Sequence, residues 1–299
     1  MIIKRSAQAL ALMVWGRDGG GVNGKPRDND ILHLAVAQSP AGLTGSSARL
    51  DWLEHQLQTH AKAKFDLLVL PELFACGYNI GDAVKRVAEP VDGPIAMQIA
   101  ALARRYNLAI HYGFAERDGD KLYNAAQAVG PDGAQLGRHR KLILPPGFES
   151  SYFSTGHQID LFVYCGLTIA TLICYDAEFP ELARKAAMRG ADIIVVPTAL
   201  GHQWGWVAHQ MIPTRGFENG VFLAYANHAG MENGLSYLGA SFIAAPDGAL
   251  MVRAGAAPDI IAAPIEKSRV QAAQARLPYH QDVAKIQLDD ITEAPAGDG

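Results

Sequence analysis

The sequence predicts a layered α/β protein built as a single domain. Short apolar runs, typical of buried strands, alternate along the chain with segments whose apolar residues recur at helical spacing. No linker separates the two halves, although 299 residues would be long enough for two domains. Hydrophobic residues make up 49% of the chain and charged residues 19%, which is the composition of a globular protein with a large core.

The first half contains five predicted strands and two predicted helices, beginning near Ile31. Helices are expected over residues 46–61 and 93–105, where apolar side chains share one face. Asp118-Gly119-Asp120 and Pro131-Asp132-Gly133 are turn signals between strands. The predicted strands are short and mostly apolar: residues 32–38, 65–70, 108–114, 122–129 and 135–142.

The second half repeats this alternation. A helix is predicted over residues 180–189, with a proline in its first turn and Gly190 just past its end. A second helix spans part of residues 207–219 and is interrupted at Pro213. The remaining apolar runs predict strands at residues 161–165, 167–174, 192–196, 221–227, 241–245 and 260–264.

The two ends of the chain fall outside the predicted domain, which covers residues 31–288. Residues 1–30 are predicted to be a disordered extension, and residues 289–299 a loose acidic tail. The apolar run at residues 7–15 has a basic start, as a signal peptide would, but it is short, contains Gln8 and lacks a cleavage motif. We therefore favour a chain without a secretion signal.

Composition excludes several classes of partner and compartment. The formal net charge of −4 leaves no basic footprint for nucleic acid, and no apolar run is long enough for a membrane span. Cys76, Cys165 and Cys174 are too few, and odd in number, for a disulfide framework. Such cysteine usage indicates a reducing compartment, so we expect a cytoplasmic location.

Cys174 is the strongest single candidate for chemistry. It ends an apolar strand and precedes a turn into a helix, where backbone N–H groups are exposed. That setting can lower the pKa of a thiol and supply an oxyanion hole. The alternative is a buried structural cysteine.

Two charged residues also follow predicted strands. Glu72 comes directly after the run that ends at Leu70-Pro71, where burial would raise the pKa of its carboxyl towards the range of a general base. Lys141 adjoins an apolar strand and could be a desolvated, fixed positive charge. Taken alone, Glu72 could instead be a turn or capping residue, and Lys141 part of a solvated basic surface.

The order and context of these residues resemble the nitrilase superfamily of carbon–nitrogen hydrolases. The resemblance runs from about Ile31 to Pro264. Three segments in the expected order carry it: Pro71-Glu72-Leu73-Phe74, Arg140-Lys141-Leu142, and Cys174-Tyr175-Asp176 with Phe179-Pro180-Glu181. Similar stretches follow at Arg215-Gly216-Phe217-Glu218-Asn219 and Tyr225-Ala226-Asn227.

The resemblance implies a Glu–Lys–Cys triad and a four-layer αββα sandwich. Cys174 would be the nucleophile, Glu72 the general base, and Lys141 with the backbone N–H of Tyr175 the oxyanion donors. Glu149, eight residues past Lys141, would orient the lysine, unless it is a solvated loop residue. Neither a metal ion nor another cofactor is required. The family also implies a homodimer or higher homo-oligomer, paired through residues 179–189 and 207–218.

Two departures from family patterns indicate the branch. Tyr175-Asp176 follows the cysteine, as in the amidase and carbamoylase branches, whereas nitrilases generally have Trp-Glu there. Ala177 and Glu178 stand where amino-acid carbamoylases have paired arginines. We therefore expect hydrolysis of a small-molecule carboxamide, with a nitrile or an N-carbamoyl amine as the alternative substrate.

The loops around Cys174 are rich in aromatic residues. An apolar, aromatic wall favours an uncharged aliphatic or aromatic acyl group, with Tyr78, Phe148 and Trp204 as candidate substrate-binding residues. These aromatics could instead pack the core or a dimer interface. Two other readings stay open: an inactive binding or assembly protein, and a hydrolase or metal site built from His202, His209 or His228.

Overall fold

Two β-sheets form the centre of the structure, a computed structural model that describes residues 31–287. The predictions for residues 1–30 and 289–299 lie outside the described residues. The strands, in chain order, are β1 (Ile31–Pro40), β2 (Leu67–Val69), β3 (Ala109–Asp118), β4 (Lys121–Val129), β5 (Gln135–Arg140), β6 (Leu161–Tyr164), β7 (Leu167–Thr171), β8 (Ile193–Pro197), β9 (Phe222–Ala226), β10 (His228–Glu232), β11 (Leu235–Leu238), β12 (Phe242–Ala244), β13 (Leu250–Arg253) and β14 (Asp259–Glu266).

The helices lie mostly between strands. They are α1 (Gly45–Thr59), α2 (Val84–Val87), α3 (Pro94–Tyr106), α4 (Phe148–Tyr152), α5 (Pro180–Met188), α6 (Ile212–Phe217), α7 (Lys267–Arg276) and α8 (Tyr279–Val283). Cys174–Glu178 forms a 3₁₀ turn, and Val207–Met211 is π-helical. Within residues 31–287, no helix has both the length and the apolar character to cross a membrane.

Each sheet has a parallel centre and antiparallel edges. The first sheet has the order β11-β10-β1-β2-β3-β4-β5, and β14 pairs antiparallel with β1 over most of its length. The second sheet has the order β13-β12-β9-β8-β7-β6. Because β1, β2 and β3 run parallel, as do β7, β8 and β9, the loops that follow them in each sheet emerge at one edge.

The buried clusters define four layers. Leu32, Leu34 and Val36, alternate residues of β1, pack with second-sheet residues such as Ile193 and Phe222 between the sheets. The opposite face of the first sheet packs against α1 and α3. The outer face of the second sheet packs against α5 and α6. This αββα arrangement confirms the expected fold class.

The structure departs from the predicted elements at several points. The hairpin of β10 and β11 was missed, although Asn233 and Gly234 at its tip, both with positive φ, form a recognisable hairpin signal. Strand β13 and helices α2, α4, α7 and α8 are likewise absent from the predicted elements. The interruption expected at Pro213 is not a break, because Met211 and Ile212 both have helical φ and ψ and the π-helical segment passes directly into α6. The hydrogen-bonding pattern changes next to Pro213, which has no N–H to donate within the preceding turn.

Gly113 on β3 allows a close approach to the loop that carries Glu72. A Cβ at Gly113 would lie 2.4 Å from the backbone N of Leu73 and 2.6 Å from the carbonyl O of Pro71. Leu73 itself has a φ of +49°, in the left-handed region. The Glu72 loop therefore lies directly against β3, in close contact with the backbone at Gly113.

We expect Gly113→Ala to destabilise the protein by about 1–3 kcal/mol, because the backbone of the Glu72 loop has to move. Urea unfolding measures the change. Gly255→Ala is the matched control, because a Cβ at Gly255 meets nothing within 4 Å, and it should change stability by less than about 0.5 kcal/mol. Equal stability of the two variants would contradict the close approach.

Candidate active site

Two strand ends and one short helix bring the predicted charged residues together. Glu72 lies just beyond β2, Lys141 follows β5 directly, and Glu149 lies in α4. The Nζ atom of Lys141 lies 2.7 Å from Oε1 of Glu72 and 2.6 Å from Oε1 of Glu149. All three side chains are buried, so the ammonium group is held between two carboxylates out of contact with solvent.

Asn124 on β4 completes this cluster and was not singled out from the sequence. Its Nδ2 atom donates to Oε1 of Glu72 at 2.8 Å and to Oε2 of Glu149 at 2.9 Å. Its backbone carbonyl accepts from the N–H of Lys141 at 2.8 Å. One asparagine thus orients both carboxylates and the lysine backbone.

Burial sets the protonation behaviour of the cluster. Desolvation raises the pKa of Glu72 to about 7, against the opposing effects of Lys141 and Asn124. Burial alone would lower the pKa of Lys141, but the charges of Glu72 and Glu149 outweigh it and raise that pKa above its usual value. Oε2 of Glu72 has no hydrogen-bond partner among residues 31–287. The cluster therefore holds a permanent cation and a carboxylate oxygen that is free to take a proton.

Cys174 starts the 3₁₀ turn that follows β7, three residues beyond the end of the strand. Its φ of +47° lies in the left-handed region, and the side chain is partly accessible to solvent. Burial, followed by the charge of Glu72, raises the pKa of its thiol, whereas Lys141 and a hydrogen bond to Thr198 lower it. The net direction is opposite to the one the strand-end setting suggested, because the two nearby carboxylates add to desolvation. The resting thiol is neutral.

Asp176 ties the cysteine turn to the chain that follows Lys141. Its Oδ1 atom accepts from the backbone N–H groups of Leu142 and Ile143, at 3.0 and 2.9 Å. Its Oδ2 atom accepts from the N–H of Ile173 at 3.1 Å. One fully buried carboxylate therefore fixes the position of Lys141 relative to Cys174.

Arg215 on α6 supports the other end of the same turn. Its guanidinium donates to the carbonyl oxygens of Ala177 and Glu178, at 3.2 and 2.7 Å. The Glu178 side chain is half-buried, and burial raises the pKa of its carboxyl. A carboxylate, rather than a cation, therefore stands four residues after the cysteine.

The candidate substrate-binding residues separate into two groups. The hydroxyl of Tyr78 donates to Oε1 of Glu149 at 2.9 Å, and its ring packs edge-on against Phe148 at 5.5 Å. Tyr175 is half-buried in the cysteine turn and packs on Phe179. Trp204, by contrast, is 57% exposed, outside the buried cluster. Within the described residues, no group of three or more His, Cys, Asp or Glu side chains is arranged to hold a metal ion.

Comparisons with known proteins show the family to which the chain is similar. Residues 33–275 match the model of the carbon–nitrogen hydrolase family. A hydrolase in the pqqF 5′ region of Pseudomonas protegens is 40% identical over 265 residues, which cover 88% of this chain and 92% of the relative. An (R)-stereoselective amidase from Pseudomonas sp. is 31% identical over 78% of this chain and 84% of its own length. A nitrilase from Pyrococcus abyssi is 36% identical over 64% of this chain and 73% of its own.

Solved structures of an amidase from Nesterenkonia sp., of the nitrilase superfamily, share the fold. A double mutant of it in complex with acrylamide superposes with a TM-score of 0.76 at 27% identity, covering 87% of this chain and all of the amidase. Another mutant, with acrylamide added to the active-site cysteine, gives a TM-score of 0.74 at 28% identity, covering 84% of this chain and 99% of the amidase.

Asp176→Ala should cost about 3 kcal/mol or more of unfolding free energy, because it leaves three backbone N–H groups without their acceptor at about 1 kcal/mol or more each. Chemical denaturation measures the loss. The exposed turn residue Asp120 offers the control, since Asp120→Ala should be nearly neutral. A loss below about 1 kcal/mol in Asp176→Ala would mean that Asp176 does not hold the two segments together.

Proposed function

The chain belongs to the carbon–nitrogen hydrolase family, and we propose that it hydrolyses an uncharged small-molecule carboxamide to the carboxylic acid and ammonia. The proposal rests on one observation above all: the buried Lys141 ammonium between Glu72 and Glu149, with the free Oε2 of Glu72 available as a base. A cysteine in a strained turn, tied to that cluster through Asp176, supplies the nucleophile.

Acylation starts from a neutral thiol. Glu72 takes the thiol proton on Oε2 while Sγ of Cys174 attacks the amide carbon, so that the S–C bond forms and the carbonyl electron pair moves onto oxygen. When that pair returns, the C–N bond breaks. Glu72 passes its proton to the leaving nitrogen, and ammonia departs from a thioester.

Lys141 and the turn at Cys174 stabilise the oxyanion in this scheme. An ammonium group has three N–H donors, and two of those on Lys141 are directed to Glu72 and Glu149. The third is available to the substrate oxygen. The backbone N–H of Tyr175, in the first turn of the 3₁₀ segment, is the second donor. Each good oxyanion donor contributes about 3 kcal/mol in other enzymes.

Deacylation repeats the proton transfer with water. Glu72 takes a proton from the attacking water, the C–O bond forms and the C–S bond breaks. The departing thiolate then recovers the proton from Glu72, and the carboxylic acid leaves. The adduct of acrylamide with the active-site cysteine of the Nesterenkonia amidase supports a cysteine nucleophile in this fold.

The charges near Cys174 favour an uncharged substrate. Glu72 and Glu149 already outnumber Lys141, and the half-buried Glu178 adds a third carboxylate. A substrate carboxylate would need a desolvated cation in compensation, and Lys141 is committed to its two partners. N-carbamoyl amino acids are therefore disfavoured. The nitrilase among the relatives makes nitriles the alternative to test.

A substrate panel tests the proposed reaction. We expect kcat/KM, followed by ammonia release, to be higher for propionamide or benzamide than for the matching nitriles and for an N-carbamoyl amino acid. A preference for the nitrile would assign the chain to nitrile hydrolysis with the same residues. A preference for the carbamoyl compound would contradict the argument from charge.

Cys174→Ala and Cys174→Ser should abolish amide hydrolysis while leaving the far-UV circular dichroism spectrum unchanged, since the thioester cannot form. Cys165→Ser, at an exposed position, is the control and should retain wild-type turnover. Turnover near the wild-type rate in Cys174→Ala would remove Cys174 from the mechanism.

The pH profile tests Glu72 as the base. Because its pKa is raised to about 7 and only the ionised form accepts a proton, kcat/KM should fall roughly tenfold per pH unit below about pH 7. Glu72→Gln should lose about 10²–10⁴-fold in rate. The variant Glu54→Gln, at a partly exposed ion pair with Arg105, should keep the wild-type profile. A profile that stays flat down to about pH 5 would mean that no group with a raised pKa limits the reaction.

A further inference from the structure

A second buried ion pair lies behind the proposed catalytic cluster. Arg49 on α1 and Glu232 at the end of β10 are 1% and 7% exposed, and Nη2 of Arg49 lies 2.8 Å from Oε1 of Glu232. The same nitrogen donates to the carbonyl of Ala41 at 3.1 Å. The reaction scheme uses neither residue, yet burying two charges is costly unless the pair has further partners.

The second oxygen of Glu232 holds the loop that carries Tyr78. Oε2 accepts from the backbone N–H groups of Tyr78 and Asn79, at 3.0 and 2.7 Å, and from the hydroxyl of Tyr237 at 2.8 Å. Gly77, with a φ of +98°, lets this loop pass the carboxylate, since a Cβ there would lie 2.4 Å from Oε1 of Glu232. The loop is therefore fastened to the end of β10 by its main chain.

Tyr78 links Glu232 to the proposed active site. Its hydroxyl donates to Oε1 of Glu149, and this is the oxygen that also accepts from Nζ of Lys141. A displacement of the Tyr78 main chain would remove one of the two side-chain donors on that oxygen. Glu149 would then hold Lys141 less firmly.

We propose that Glu232, kept buried by Arg49, is a positioning residue that sets the Tyr78 hydroxyl on Glu149 and thereby fixes Lys141. The proposal rests on the proposed function, in which Lys141 stabilises the oxyanion. Glu232 lies 160 residues from Glu72 along the chain. Within residues 31–287, its side chain makes no hydrogen bond to Glu72, Lys141 or Cys174.

A pair of double variants separates positioning from charge burial. Glu232→Leu alone would leave Arg49 buried without a partner and could fail to fold, so both variants carry Arg49→Met. Arg49→Met with Glu232→Gln keeps an acceptor for the N–H groups of Tyr78 and Asn79. Arg49→Met with Glu232→Leu does not. We expect kcat to fall about tenfold further in the Leu variant than in the Gln variant, with KM unchanged. The reason is that the Leu variant loses one hydrogen bond to a charged group, from the Tyr78 hydroxyl to Glu149.

Tyr78→Phe completes a thermodynamic cycle. If Glu232 acts through the Tyr78 hydroxyl, Tyr78→Phe alone should lower kcat by about the same tenfold factor, and adding the Leu double variant should lower it no further. If kcat of the combined variant instead falls about a hundredfold, the product of the two separate losses, then Glu232 acts independently of Tyr78 and the proposal is overturned. Equal kcat in the Gln and Leu variants would overturn it as well. Glu54→Leu, at a surface ion pair with Arg105, is the control and should retain full activity.

Alkylation of Cys174 provides a readout that does not depend on turnover. The second-order rate with iodoacetamide, followed by peptide mass spectrometry, should fall by one common factor in Tyr78→Phe, in the Leu double variant and in their combination, with Cys165 as the internal reference. Unchanged alkylation rates would contradict the proposal even if no amide were hydrolysed. If the wild-type protein hydrolyses none of the amides and the variants still show the common fall in alkylation rate, the result contradicts the proposed function alone.

Discussion

The structure depends on one buried ion cluster, in which the Lys141 ammonium lies between the carboxylates of Glu72 and Glu149. An ammonium ion removed from water is tolerated only when charged partners and hydrogen bonds replace its hydration shell. Three chain segments, after β2, after β5 and in α4, therefore have to converge to within hydrogen-bonding distance. Asn124 and the hydroxyl of Tyr78 donate further hydrogen bonds to the two acids.

Convergence of this kind has to be enforced by the surrounding backbone. Asp176 joins the chain after Lys141 to the cysteine turn, and Gly113 allows the Glu72 loop to lie directly against β3. Leu73 and Cys174 both adopt left-handed conformations that a non-glycine residue rarely takes up. Each of the two loops that present the base and the thiol thus contains a strained residue, which the surrounding packing holds in place.

Burial and the excess of carboxylates around Lys141 together set the protonation states of the Cys174 thiol and the Glu72 carboxyl. Burial and the neighbouring carboxylates keep the thiol of Cys174 neutral, while burial brings the pKa of Glu72 to about 7. A neutral thiol beside such a base suits proton transfer during attack rather than a preformed thiolate. The sequence context of Cys174 pointed the other way, because exposed N–H groups at a strand end are visible in a sequence whereas neighbouring carboxylates from other segments are not.

The sequence by itself determined the alternation of strands and helices and the αββα family resemblance, and it predicted Glu72, Lys141, Cys174 and Glu149 as site residues, because each lies in or near a short local motif. It did not reveal Asn124 or Glu232, and it gave Asp176 only as part of a motif, since a polar residue within or beside a buried strand has no local signature of its partners. Those partners come from segments as much as 183 residues apart, as for Arg49 and Glu232. Only the tertiary structure could decide such contacts, because charge burial is a property of the assembled sheets and of no single segment.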